Sequence, residues 1–189
     1  MKYPHRLSII LVLAASCAIA QPTAATAPGI PNFHQVNDRI YRGGQPTNKA
    51  WDALAHLGIR TVVDLRLENE HPTFLEARAV EAAGMHYVSL PMNYLSAPTD
   101  KQIAKALALL DADFPGAIFI HCRRGADRTG TVIACYRISH DHWANQKALV
   151  EAKSLGMSWL EWGMQNYVTH FQPPAPATLP EPPASQTNP

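Results

Sequence analysis

One stretch, AIFIHCRRGADRTGTVIACY (Ala117 to Tyr136), constrains the fold more than any other part of the chain. A continuous apolar run, Ala117 to Cys122, suits a strand buried on both faces at the centre of a sheet. Five residues then intervene before Arg128-Thr129-Gly130 opens a helix. A strand, a short loop and a helix in this order place Cys122 at the base of a loop whose amides and following helix N-terminus converge, which makes an anion cradle. The same cradle favours the thiolate form of Cys122, a nucleophile. Arg128 supplies a planar fork that matches two oxygens of a tetrahedral oxyanion. Gly125 allows close backbone approach or a positive φ within the loop.

The rest of the chain supplies a setting for that unit. IRTVVDL (Ile59 to Leu65) and MHYVSLPM (Met85 to Met92) read as further strands, and a short β element falls around Arg39 to Arg42. Thr47 to Leu57, with Trp51, Leu54 and Leu57, and Thr73 to Ala83, with Phe74, Ala77 and Val80, have helical periodicity. Thr99 or Asp100 can cap a helix through Ile103, Leu107 and Leu110, and further helices begin near Thr129, Ala144 and Leu160. Strands alternating with helices of this length predict an α/β fold, a central mostly parallel sheet flanked by helices.

Both ends stand apart in composition. MKYPHRLSIILVLAASCAIA joins basic Lys2 and Arg6 to an apolar stretch and closes on Ala18-Ile19-Ala20, so residues 1–20 read as a signal peptide and the protein as exported, periplasmic or secreted. Lipoprotein processing at Cys17, after Ala14-Ala15-Ser16, is the alternative. Residues 172–189 hold seven prolines and read as an extended tail. That leaves a linker at 21–32 and one domain at 33–171. No apolar run outside the N-terminus is long enough to span a bilayer. The net charge of +1 becomes −1 once Lys2 and Arg6 are removed, so nothing global indicates nucleic acid.

The loop carries a resemblance. His121, Cys122, then five residues to Arg128, with Gly125 between and Thr129-Gly130 after, resemble the signature loop of the cysteine-dependent protein tyrosine and dual-specificity phosphatases. IYRGGQP (Ile40 to Pro46), LGIRTVVDLR (Leu57 to Arg66) and YVSLPMN (Tyr87 to Asn93) are similar to the compact plant-and-fungal atypical dual-specificity phosphatases and their bacterial relatives, over about Phe33 to Phe171. The resemblance implies two-step hydrolysis of a phosphorylated protein or small phosphoester through a phosphocysteine, with no metal or cofactor. It implies that the loop from Arg123, Arg124, Gly125 and Ala126 to Asp127 and Arg128 holds the phosphate. Thr129 would hydrogen-bond the sulfur and His121 would orient the loop.

The general acid departs from that family's pattern. An aspartate about thirty residues before the cysteine is common there, but Leu90-Pro91-Met92-Asn93-Tyr94 contains no carboxylate. Asp127, beside Arg128, resembles the loop aspartate of myotubularin-like and some bacterial phosphatases, and Asp100 is the second candidate. Each also has a structural reading, Asp127 as an ion-pair partner and Asp100 as a helix cap.

Other residues fit packing better than chemistry. Cys135 lies seven residues beyond Arg128, about 10 Å along a helix, and reads as core. His140, Asp141 and His142 lack a third ligand at recognisable spacing and read as a helix end. Trp159 and Trp162 read as core or rim packing. Three alternatives to a phosphotyrosine-type phosphatase remain: an inositol-phosphate or phosphoinositide phosphatase, suggested by Arg123 and Arg124; a poorly active phosphate-ester binding module; and rhodanese-type sulfur transfer, against which Arg128-Thr129-Gly130 argues.

Overall fold

A computed structural model describes residues 27–173. The expected signal segment with Cys17, the linker up to residue 26 and the tail from residue 174 lie outside the described residues.

Five strands form one sheet: β1 (His34–Gln35), β2 (Ile40–Gly43), β3 (Ile59–Asp64), β4 (His86–Ser89) and β5 (Ala117–His121), in the order β1-β2-β5-β3-β4. The β1–β2 pair is antiparallel and every other pair is parallel. The expected strand from Ala117 is thus central, between β2 and β3, and all five of its residues are buried. A strand covered on both faces can be apolar at every position, which accounts for the unbroken run in the sequence.

Alternation along β5 divides the core in two. Phe119 faces Trp51, Leu54, Ile59, Val62 and Val80, beneath α1 (Trp51–His56) and α2 (Thr73–Ala82). Ile118 and Ile120 face the other layer, made by α3 (Asp100–Asp111), α4 (Asp127–Ser139), α5 (Asn145–Ser154) and α6 (Trp162–His170). At the centre of that layer, α4 is buried from Arg128 to Tyr136.

Several expected boundaries shift. The helix after the loop begins at Asp127 rather than Thr129. β4 ends at Ser89, three residues early, because Pro91 has no N–H to donate; Leu90 and Met92 on either side still bond the Asp64 and Leu65 carbonyls. The α3 cap is Thr99, whose hydroxyl accepts from the Gln102 N–H while its own N–H donates to the Gln102 side chain, and Asp100 is the first helical residue.

The apolar expectations at Leu57 and Phe74 fail, and of the core-or-rim reading of Trp159 and Trp162 the core half fails. Leu57 lies past the end of α1 and is exposed, and Trp159 and Trp162 are 74% and 73% exposed, so neither tryptophan is core. On α2, Phe74 is 62% exposed while Glu76 is buried. The face that α2 turns inward therefore runs through Glu76 and Val80, because an arginine and a histidine beneath it need a carboxylate.

Truncation separates the two faces of this reading. Phe119→Ala is expected to lower unfolding free energy by about 3–5 kcal/mol, whereas Phe74→Ala changes it by no more than about 0.5 kcal/mol, as read from urea unfolding midpoints. Equal losses would put Phe74 back in the core.

Candidate active site

Between β5 and α4 the chain turns within Cys122 to Ala126. Gly125 has φ +70°, and a Cβ there would overlap the Gly43–Gly44 peptide, so both conformation and space demand glycine. Two loop carbonyls turn back into the protein and are met by donors from the N-terminal segment. The Arg42 guanidinium donates to the Gly125 carbonyl at 2.6 Å, Asn32 Nδ2 donates to it at 2.9 Å, and the Gln45 N–H donates to the Arg123 carbonyl at 3.1 Å. Arg42 is fully buried, and burial lowers its pKa to about 10, which leaves it a cation at neutral pH. IYRGGQP is therefore the underside of the loop: Arg42 bonds it, and the two glycines let it approach.

A second support stands behind His121, which is buried and stacks on Phe119 with ring centroids 5.4 Å apart. Its Nε2 lies 2.8 Å from Glu76 Oε1. Arg66 donates to both oxygens of Asp64 and to Glu76 Oε2, while Gln45 and Tyr87 donate to Glu76 and Asp64 respectively. Burial by itself would raise the pKa values of Asp64 and Glu76, but hydrogen bonds from Arg66 to the first and the close approach of the His121 ring to the second outweigh it and hold both below their ordinary values. Among the described residues, Asp64, Glu76 and His121 form the one group with metal-ligand spacing, and the Arg66 guanidinium already neutralises its carboxylates.

Arg128 is fixed by a third contact. Glu70, from a 3-10 turn at Glu68–Glu70, receives Arg128 Nη1 at 2.5 Å and Nη2 at 2.9 Å in a bidentate pair. Burial pulls the Arg128 pKa down, but Glu70 and the nearby Cys122 raise it above its ordinary value. Glu70, whose pKa burial would raise, is held low by Arg128 and by the Leu67 N–H. The guanidinium is thereby clamped at the edge of a pocket that Cys122 also lines.

These residues enclose a cleft of about 480 Å³ lined by Asn69, Glu70, Tyr94, Cys122, Arg123, Arg124, Asp127, Arg128 and Glu161. Cys122, Arg123, Arg124, Asp127 and Arg128 thus come together as the spacing required. Gly125 and Ala126 are buried within the loop, and Arg123 and Arg124 are exposed at its mouth. Asp127 accepts the Ser158 N–H at 2.8 Å through Oδ1, and its Oδ2 lies 3.5 Å from Arg124 Nη1. Both its structural and its catalytic readings keep a geometric basis.

Asp100 does not reach this cleft. It accepts the Tyr167 hydroxyl at 2.7 Å and lines a separate depression between α3 and α6, because the start of α3 sits against α6 rather than over the loop. The Thr129 hydroxyl is buried and makes no hydrogen bond among the described residues, so the expected bond to sulfur is not formed. Cys135 is buried within α4, where burial raises its pKa, and it is not disulfide-bonded. His140 stacks on Tyr136 and bonds Asp141, as a helix end does.

Arg42, Glu70, Glu76 and Glu161 escaped the sequence reading. No local spacing marks a residue that reaches the loop from a different element. The double glycine of IYRGGQP was the one available hint that a backbone passes closely over another.

With this geometry in place, the comparisons give the family. A family model described as DSP-PTPase phosphatase fused to NAD+ kinase matches residues 25–164, and the chain belongs to that DSP-PTPase family. The inositol diphosphatase DSP3 of Arabidopsis thaliana is 30% identical over 145 residues, 74% of this chain and 70% of its own. The dual specificity protein phosphatase TpbA of Pseudomonas aeruginosa is 28% identical over 152 residues, 76% of this chain and 63% of its own. The crystal structure of P. aeruginosa TpbA has a TM-score of 0.66 at 25% identity, covering 79% of this chain and 89% of that one. The catalytic domain of the S. cerevisiae PP-IP phosphatase SIW14 shares the fold, with a TM-score of 0.65 at 22% identity over 75% and 86%. The chain is a protein-tyrosine-phosphatase-like enzyme that hydrolyses phosphoesters.

The buried network has a pH consequence. Asp64 and Glu76 have depressed folded-state pKa values, so their contribution to stability is complete above the unfolded carboxylate range near pH 4 and is lost as pH falls through the lower folded values. Thermal melts are expected to show a steep fall in Tm below about pH 4, and Glu76→Gln should lower Tm at pH 7 while flattening that fall. A Glu76→Gln curve parallel to wild type would contradict the assignment.

Freeing Arg128 of its brace is expected to loosen the anion site. Glu70→Gln should lower kcat/KM for an aryl phosphate by about tenfold or more, with folding unchanged by circular dichroism. Unchanged kinetics would show that Arg128 needs no clamp.

Proposed function

We propose that this chain is an exported cysteine-dependent phosphatase that hydrolyses phosphomonoesters of the phosphotyrosine and dual-specificity type through a phosphocysteine intermediate. The observation that carries the reading is the convergence of Cys122 and a clamped Arg128 at one cleft. A phosphate held by the loop and Arg128 sits against Cys122. The sulfur attacks phosphorus, the ester oxygen departs, and water then releases phosphate from the phosphocysteine. Arg128 strengthens its hold as charge spreads over the transferring group. The buried, unbonded Thr129 hydroxyl, seven residues past Cys122, is a donor that can serve the departing thiolate in the second step.

The cleft also bears on the substrate. Arg123, Arg124 and Arg128 line it together with Glu70, Asp127 and Glu161, a mixed set of charged groups that suits a single phosphate dianion better than a densely charged polyanion. Tyr94, 46% exposed on the wall, offers a ring face to an aromatic leaving group. A second reading, inositol phosphates or pyrophosphates, is favoured by the exposed Arg123 and Arg124 and by the likeness to the inositol diphosphatase DSP3. Export rests on the composition of residues 1–20, with lipidation at Cys17 as the alternative.

The test is phosphate release by reduced protein from a phosphotyrosine peptide, an aryl phosphate and a set of inositol phosphates. Wild type is expected to turn over the first two most efficiently, and Cys122→Ser to lower kcat by a factor of about 10³ or more. Acid quenching during turnover should trap one phosphate on Cys122, seen by mass spectrometry. Preference for inositol phosphates would establish the second reading, and binding of vanadate without release from any substrate would leave only a binding module. N-terminal sequencing of protein recovered from the periplasm or medium of a bacterial host should begin at Gln21.

A further inference from the structure

We propose that Glu161, on the loop between α5 and α6, is the catalytic residue that protonates the leaving oxygen in the first step and takes a proton from water in the second. This rests on the phosphocysteine reading above.

Three carboxylates line the cleft with Cys122, and their surroundings differ. Glu70 has both oxygens on Arg128, with the Leu67 N–H added to Oε1, and those bonds hold it ionised. Asp127 has an oxygen on the Ser158 N–H, which can only donate, and the other turned to Arg124. Glu161 makes no side-chain hydrogen bond or ion pair among the described residues, and it is half-buried at the cleft wall. A carboxyl that must hand a proton to a substrate has to keep an oxygen free for it; Glu161 keeps both, Asp127 keeps only Oδ2, which faces Arg124 at 3.5 Å, and Glu70 keeps neither.

Its position is built rather than incidental. The Asp127–Ser158 bond ties the start of α4 to the loop that carries Glu161 three residues later. The Glu161 N–H donates to the Ser158 carbonyl and the Glu161 carbonyl accepts from the Gln165 N–H, which closes the loop onto α6. Gln165 Nε2 donates to the Ser158 carbonyl as well. Asp127 is therefore a positioning residue for Glu161, and its charge acts on it too.

The charges facing Glu161 come from the phosphate loop and α4, where Cys122, Arg123, Arg124, Asp127 and Arg128 line the cleft, and from the 3-10 turn, with Glu70. Burial first and then Asp127 raise the Glu161 pKa above its ordinary value, against smaller opposing effects of Arg124 and Arg128. Glu70 held ionised by Arg128 and Glu161 pushed towards its protonated form is the arrangement that divides a structural role from an acid one.

The step balances without a further reactant. The S–P bond forms as the P–O bond breaks, and the Glu161 proton passes to the departing oxygen. Water then attacks phosphorus, its proton goes to the Glu161 carboxylate, the S–P bond breaks, and inorganic phosphate and the Cys122 thiolate are left.

The experiment compares Glu161→Gln and Asp127→Asn with wild type on phenyl phosphate, a poor leaving group, and 4-nitrophenyl phosphate, a good one, across pH. Glu161→Gln is expected to lose about 10²-fold in kcat/KM on phenyl phosphate, at least tenfold more than on 4-nitrophenyl phosphate, and to lose the alkaline fall in activity. Asp127→Asn keeps an acceptor for the Ser158 N–H but removes the charge beside Glu161. It should keep that alkaline fall, moved to lower pH. Equal losses on both substrates, or an alkaline fall that persists in Glu161→Gln and vanishes in Asp127→Asn, would overturn the assignment while leaving the phosphatase reading intact. Absence of turnover by wild type on either substrate would overturn both.

Discussion

A loop that gathers its amides around an anion must send carbonyls the other way, and a buried carbonyl without a donor is costly. Much of this structure answers that requirement. The Gly125 carbonyl takes two donors, Arg42 and Asn32, which lie 83 and 93 residues away in sequence. The Arg123 carbonyl takes the Gln45 amide. β2 therefore does more than extend the sheet: pairing with β5 brings Arg42 and the glycines after it beneath the loop. A side chain on Gly43 would meet Ile30 and Phe119, and one on Gly44 the Arg123 and Arg124 backbone, so the underside of the site has room for neither.

Electrostatic compensation supplies the second layer. Buried charges are costly unless compensated, and Asp64, Arg66 and Glu76 here are arranged in linked pairs. Asp64 and Glu76 share Arg66, and Glu76 meets His121 directly behind the cysteine. Glu70 meets Arg128 in front of it. Cys122 thus lies between two ion-pair systems, one that fixes the strand end and one that fixes the guanidinium. The fully buried Arg42 donates to the loop itself.

Composition misled wherever a local pattern competed with this compensation. On α2 the apolar period suggested an inward Phe74, yet Glu76 faces in because Arg66 and His121 lie beneath it. Trp159 and Trp162 looked like core or rim and are exposed, one on the loop before α6 and one at its first residue, where the anchoring comes from the Ser158 backbone instead. Asp100 lay in a window plausible for an acid, but the path of α3 pairs it with Tyr167 across a different depression. In each case the deciding partner belongs to a distant element.

The sequence by itself determined what lies within reach of one continuous backbone. The apolar strand, the five-residue turn and the helix after it are local consequences of side-chain pattern and glycine conformation, so Cys122, Arg123, Arg124, Asp127 and Arg128 could be assembled without coordinates. The mostly parallel sheet followed from the alternation of strands and helices. Only the tertiary structure decided which carboxylates attend that loop, because Glu70, Glu76 and Glu161 arrive from three different elements. Their approach is set by burial of the core faces and by the need to pair buried charge. Neither leaves a fixed spacing in the chain.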